Sequence, residues 1–140
     1  MSICLAIQCL FVSIIIDILF YRERKQTIKT TLPGMSLLLL KVMLLMLAGN
    51  LLQITIWGGI FIACGEFKDF TLAFYHSVVN FTTLGYGDLV MSEKRRLLGA
   101  LEAANGVLMF GLTTSLLFVV LNDLMDREWT RRIRKAKSPE

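Results

Sequence analysis

Charge is scarce in this chain: 19% of its residues are Asp, Glu, Lys or Arg, against 55% hydrophobic, and the mean hydropathy is +0.63. At 140 residues, a chain that apolar is too short and too oily for a soluble multidomain protein, and one domain in a bilayer is expected. Histidine occurs once and no cysteine pair stands at metal-ligand spacing. No phosphate-cradling glycine loop and no Ser, His and acid set on facing elements are present either, so no enzyme and no organic cofactor are expected. No stretch carries an arginine at every third position, which argues against a voltage sensor. No basic stripe interleaves with aromatics, so no nucleic-acid partner is expected. The three cysteines, Cys4, Cys9 and Cys64, lie in apolar stretches. An odd number without a secreted framework reads as packed thiols, with a Cys4 to Cys64 disulfide at the outer face as the alternative.

What the chain does have is long apolar runs. Three of them, residues 2–21, 37–64 and 97–122, suffice to span about 30 Å of hydrocarbon at about 1.5 Å per helical residue. Between the last two, residues 70–82 are too few to cross, and beside a Gly-rich loop they read as a re-entrant helix. The first run lacks a basic leader and a small-residue cleavage site, and its basic cluster follows it, so it reads as a retained helix. Asp17 falls near its inner end, where a charge can reach the interface.

The basic residues set an orientation. Arg22, Arg24, Lys25 and Lys29 follow the first run, and Arg127, Arg131, Arg132, Arg134, Lys135 and Lys137 follow the third. Lys68, Lys94, Arg95 and Arg96 form a smaller set on the opposite side. The positive-inside rule then puts the N-terminus outside and the C-terminus in the cytoplasm of a multi-pass plasma-membrane protein. The net charge of +4 belongs mostly to these cytoplasmic flanks. Residues 123–137 are expected to form a short amphipathic helix on the membrane surface, where each basic residue gains about 1 kcal/mol near anionic lipid. Residues 123–140 are too few to fold as a ligand-binding domain.

Between the second and third runs lies Thr83-Leu84-Gly85-Tyr86-Gly87, followed by Asp88. Glycine takes left-handed backbone angles without a Cβ clash, and if neighbours alternate between ordinary and left-handed angles, successive carbonyls can face one axis. Irregular backbone at membrane depth is tolerated only where it is buried in protein or lines a water-filled path. One chain supplies one such loop, so a ring of loops requires oligomerisation.

The pentapeptide resembles the selectivity filter of tetrameric potassium channels, and from about Phe70 to Phe118 the chain looks like bacterial two-helix potassium channels. The resemblance implies a homotetramer whose filter, Thr83, Leu84, Gly85, Tyr86 and Gly87, replaces the water of K+ with backbone carbonyls, with K+ held at Thr83, Leu84, Gly85 and Tyr86. It implies an aromatic-rich pore helix behind the filter, in which Tyr75 hydrogen-bonds Asp88 and His76 approaches Tyr86; for His76 an ordinary packed imidazole is the alternative. Asp88 adds a carboxylate ring at the outer mouth. Val79 stands where several family members carry a carboxylate.

The third run looks like the family's inner helix. Gly106 and Gly111 mark a hinge or, alternatively, a close helix contact. Val107, Phe110, Thr114 and Phe118 recur along one helical stripe and match the family's cavity-facing positions. Phe118 and Asn122 would form the constriction, unless Phe118 packs sideways. Glu102 is an acid inside a membrane helix, costly unless paired, and Ser77, Asn80 or a main-chain amide is the expected partner. Asn50 and Gln53 read as interhelical hydrogen-bonding groups.

The expected fold is an all-α membrane protein with three transmembrane helices, a re-entrant pore helix and a filter loop. Residues 1–34 hold the first helix and basic loop, 35–122 the pore domain and 123–140 a basic tail. The expected function is a homotetrameric potassium-selective channel gated at its inner helices, with K+ as the only bound group and anionic membrane lipids as partners. The alternatives are a small proton-coupled transporter using Glu102 and an accessory subunit of another channel.

Overall fold

The computed structural model describes residues 2–24 and 32–137, and all of its regular structure there is helical. Four helices follow in order: α1 (Ser2–Arg24), α2 (Leu32–Ala63), α3 (Phe70–Phe81) and α4 (Arg96–Lys137). The basic residues Lys25 and Lys29 lie outside the described residues.

Among the described residues, two helices are long and apolar enough to cross a membrane, over Gly34–Ala63 and Arg96–Ile133. At about 1.5 Å per residue both exceed a hydrocarbon core of about 30 Å. The apolar part of α1, Ile3–Asp17, is shorter. Pro33 stands in the first turn of α2, where its missing amide has no intrahelical partner to lose. Along α2, the buried Leu38, Val42 and Met46 alternate with the exposed Leu37, Leu40, Met43, Leu44 and Leu47. A helix apolar on its exposed side as well as its buried one has the pattern of a membrane-crossing segment.

Two clusters fix the direction of α1. Its Cys4 packs with Trp57 and Phe61 of α2, Ala73 of α3 and Met91 of the loop before α4. Its Ile15 packs with Leu38, Val42 and Met46 of α2 and with Leu116, Val120 and Leu124 of α4. The start of α1 therefore lies at the end of the bundle that holds the loops around α3. All three cysteines are free thiols, so Cys4 and Cys64 are not bridged.

The tail differs from its expected form. Instead of a separate helix lying on the membrane surface, residues 123–137 continue α4 without interruption. No glycine or proline occurs between Asn122 and Lys137 to break the helix. In-helix pairs carry it onward: Arg127 to Asp123 at 2.8 Å, and Arg131 and Arg132 to Glu128 at 3.3 and 3.1 Å.

Candidate functional site

The short helix α3 is positioned from both ends. At its start the carboxylate of Asp69 accepts from the amide of Thr71 at 3.0 Å, a conventional N-cap. At its end the following loop folds back: the amide of Thr83 donates to the carbonyl of Asn80 at 2.8 Å, and that of Leu84 to Val79 at 2.9 Å. The last carbonyls of α3 are thus satisfied by the loop itself, which fixes where Thr83 to Gly87 begin.

That loop has the alternation anticipated for it. Gly85 and Gly87 have φ of +59° and +75°, and Thr83, where no glycine relieves the strain, has φ of +59°. Alternating left- and right-handed residues align successive peptide groups on one side of the chain. Among the described residues, no hydrogen bond ends on the carbonyl oxygen of Thr83, Leu84, Gly85, Tyr86 or Gly87. All five residues are exposed on the protomer. Five consecutive free carbonyls are exceptional where backbone polar groups are normally paired, and they form an oxygen-rich strip able to coordinate a cation.

Behind the strip, the hydroxyl of Tyr75 donates to the Asp88 carboxylate at 2.8 Å, as expected. This bond, foremost, holds the Asp88 carboxyl below its ordinary value. His76 goes elsewhere. It is buried, its Nε2 lies 2.9 Å from the side-chain nitrogen of Asn80, and its ring packs against Phe61 and Phe67 at centroid distances of 5.5 and 5.0 Å. The expected approach to Tyr86 is therefore not made within the protomer, and the packed-imidazole alternative describes the site. Val79 is buried and contributes its carbonyl to the loop's anchorage.

Glu102 is fully buried, and its carboxyl pairs with the hydroxyl of Ser77, which also contacts the carbonyl of Ile54 at 2.8 Å. One hydroxyl thereby ties α2, α3 and α4 together. Gly106 serves the same junction, because Phe81, the last residue of α3, puts its carbonyl oxygen where a Cβ on Gly106 would stand. Nothing lies within 4 Å of a Cβ at Gly111. The close-contact reading of the glycines thus applies at Gly106, while at Gly111 the protomer leaves room for a Cβ.

Residues along α4 differ in exposure. Val107, Phe110, Thr114, Phe118 and Asn122 are exposed on the protomer, whereas Glu102, Asn105, Met109, Leu116 and Val120 are buried against the other helices. Phe110 leans back to make an edge contact with Phe81, with centroids 5.7 Å apart.

Two features escaped the sequence. Glu66 accepts from the amide and hydroxyl of Ser92 at 2.8 and 2.6 Å and from Arg95 at 3.3 Å, clasping the loop after α2 to the segment before α4. Gln8 is buried inside the bundle. A lone amide in the apolar run of α1 was the available signal for Gln8; nothing local pairs Glu66 with Ser92.

The family model described as "Ion channel" matches residues 50–123, more than half of the chain. The match begins in α2, takes in α3, the filter-like loop and the exposed face of α4, and leaves out α1. The chain belongs to this ion channel family, in its potassium-channel-like, two-membrane-helix form, and is a membrane protein engaged in ion transport. No curated protein and no solved structure gives a significant match.

Proposed function

We propose that the protein is a potassium-selective channel, a homotetramer in which four copies of Thr83 to Gly87 surround one axis. The observation that carries this reading is the run of five unbonded, exposed carbonyls with left-handed angles at alternate residues. A dehydrated K+ needs such a ring of oxygens in place of its water. The exposed stripe of Val107, Phe110, Thr114, Phe118 and Asn122 supports an inner helix that lines the cavity. Phe118 forms the constriction that gates by dewetting, and α4 bends at Gly111. Asp88, kept ionised by Tyr75, gathers cations at the outer mouth.

In this reading α1 is a third transmembrane helix, the N-terminus and filter face outward across the plasma membrane, and the C-terminus is cytoplasmic. Basic residues of the α4 extension meet anionic lipid headgroups in competition with their in-helix partners Asp123 and Glu128. Full burial of Glu102 on the face opposite the stripe favours a brace over a proton-coupled transport site.

The test is Gly85→Ala and Gly87→Ala in the purified tetramer reconstituted into liposomes. A Cβ at either φ is strained. Selective K+ flux disappears in both variants if the loop is the filter; a preserved K+ over Na+ preference overturns the assignment.

A further inference from the structure

The gate so described leaves α1 without a task, and the family match does not include it. The structure shows α1 bonded to the inner helix through polar groups. Gln8 of α1, Gln53 of α2 and Asn105 of α4 are each fully buried. The Gln53 amide nitrogen donates to the side-chain oxygen of Gln8 at 2.8 Å, and that of Asn105 donates to the side-chain oxygen of Gln53 at 3.3 Å. The remaining end of the Gln8 amide, its nitrogen, donates to the Thr113 hydroxyl oxygen at 3.4 Å. Thr113 is free to accept because its own proton goes to the Met109 carbonyl at 2.8 Å.

Gln8 therefore reaches α4 at two levels, directly at Thr113 and through Gln53 at Asn105. Gly106 and Gly111 lie between those two points, which are about 12 Å apart along a helix rising about 1.5 Å per residue. A bend in this segment changes the separation or the facing of Asn105 and Thr113 and so breaks one end of the polar strut. Gly49 brings the helices close here, since a Cβ on it would stand 3.3 Å from the Phe11 ring and 3.5 Å from the Gln8 side-chain oxygen. Buried amides in a membrane bundle have no water to fall back on, so the strut favours the straight helix over any bent one.

We propose that Gln8 is a positioning residue for the gate: through Gln53, Asn105 and Thr113 it splints the glycine-containing segment of α4, and α1 thereby sets how readily the channel bends open. This rests on the proposed gating at α4. A helix outside the pore domain becomes part of the gating equilibrium by hydrogen bonding alone.

The experiment uses the full chain. Gln8→Met keeps the length and volume of the side chain and removes its amide; Gln53→Met and the double variant complete a cycle, and Ile15→Val trims α1 packing away from the strut. Open probability is recorded in planar bilayers, and amide hydrogen exchange of residues 106–113 is measured on the same preparations. Losing one interhelical bond shifts the equilibrium about threefold per subunit, and by up to about eightyfold if four subunits bend together. Gln8→Met is expected to change open probability by that factor with the K+ to Na+ ratio unchanged, to speed exchange in 106–113, and to be non-additive with Gln53→Met. Ile15→Val is expected to lower thermal stability without these effects. Unchanged exchange and gating in Gln8→Met, or strict additivity with Gln53→Met, overturns the inference. Faster exchange in a protein that passes no K+ upholds the splint and overturns the proposed function instead.

Discussion

The carbonyl oxygen of Phe81 occupies the place where a Cβ on Gly106 would stand, so α4 meets the end of α3 backbone to backbone. Phe81 closes α3 and is two residues from Thr83. In the proposed tetramer, a shift of α4 at this level would reach the innermost carbonyls of the loop, those of Thr83.

Gly106→Ala and Gly111→Ala are accordingly expected to part company. At Gly106 the obstacle is backbone and cannot swing away, so overpacking costs about 1–3 kcal/mol or more and the tetramer melts earlier or fails to assemble. At Gly111 there is open space, and the substitution stiffens the helix by about 1 kcal/mol, leaving assembly intact while lowering the frequency of opening. Thermal melts beside single-channel recordings check both halves.

External pH is expected to leave the mouth unaffected until well into the acid range. The Asp88 carboxyl is held below its ordinary value, first by the Tyr75 hydroxyl and also by the Leu89 amide, with burial opposing. A depressed pKa means that the contribution of the charged form is complete above the ordinary carboxylate value and is lost as pH falls through the lower, folded one. Tyr75→Phe removes the main cause, so the acid limb of a flux-against-pH profile should move to higher pH. An unmoved limb would remove Asp88 from the conduction pathway.

Glu102 should tolerate an amide better than a hydrocarbon. The Ser77 hydroxyl has one proton and meets two oxygens, one on Ile54 and one on Glu102, so a proton on the carboxyl completes the set. Glu102→Gln supplies a donor in the same place and is expected to cost under about 1 kcal/mol. Glu102→Leu breaks the tie between α3 and α4 and costs about 1–2 kcal/mol, the upper range for interhelical bonds in membranes. Tetramer stability in detergent reads both.

Much of this architecture was legible because membrane helices advertise themselves by length and the filter-like loop by its two glycines. A short helix between the two long runs and the Tyr75 to Asp88 bond are implied by length and by the family resemblance, and Ser77 is one of the partners open to Glu102. What stayed hidden depends on packing between distant segments. His76 turns toward Asn80, Phe61 and Phe67 because an aromatic pocket between α2 and α3 receives it, and no local pattern signals that pocket. Nothing in the apolar run of α1 signals that Gln8 meets Gln53 and Thr113. The charges of the tail suggest a surface helix, but in-helix pairs and the absence of a breaker let α4 continue through it.

Ion flux from proteoliposomes tests the central claim most directly. With K+ inside and either Na+ or a large organic cation outside, the account predicts a barium-sensitive K+ efflux that Na+ does not share. Equal passage of Na+, with the tetramer intact, would contradict it.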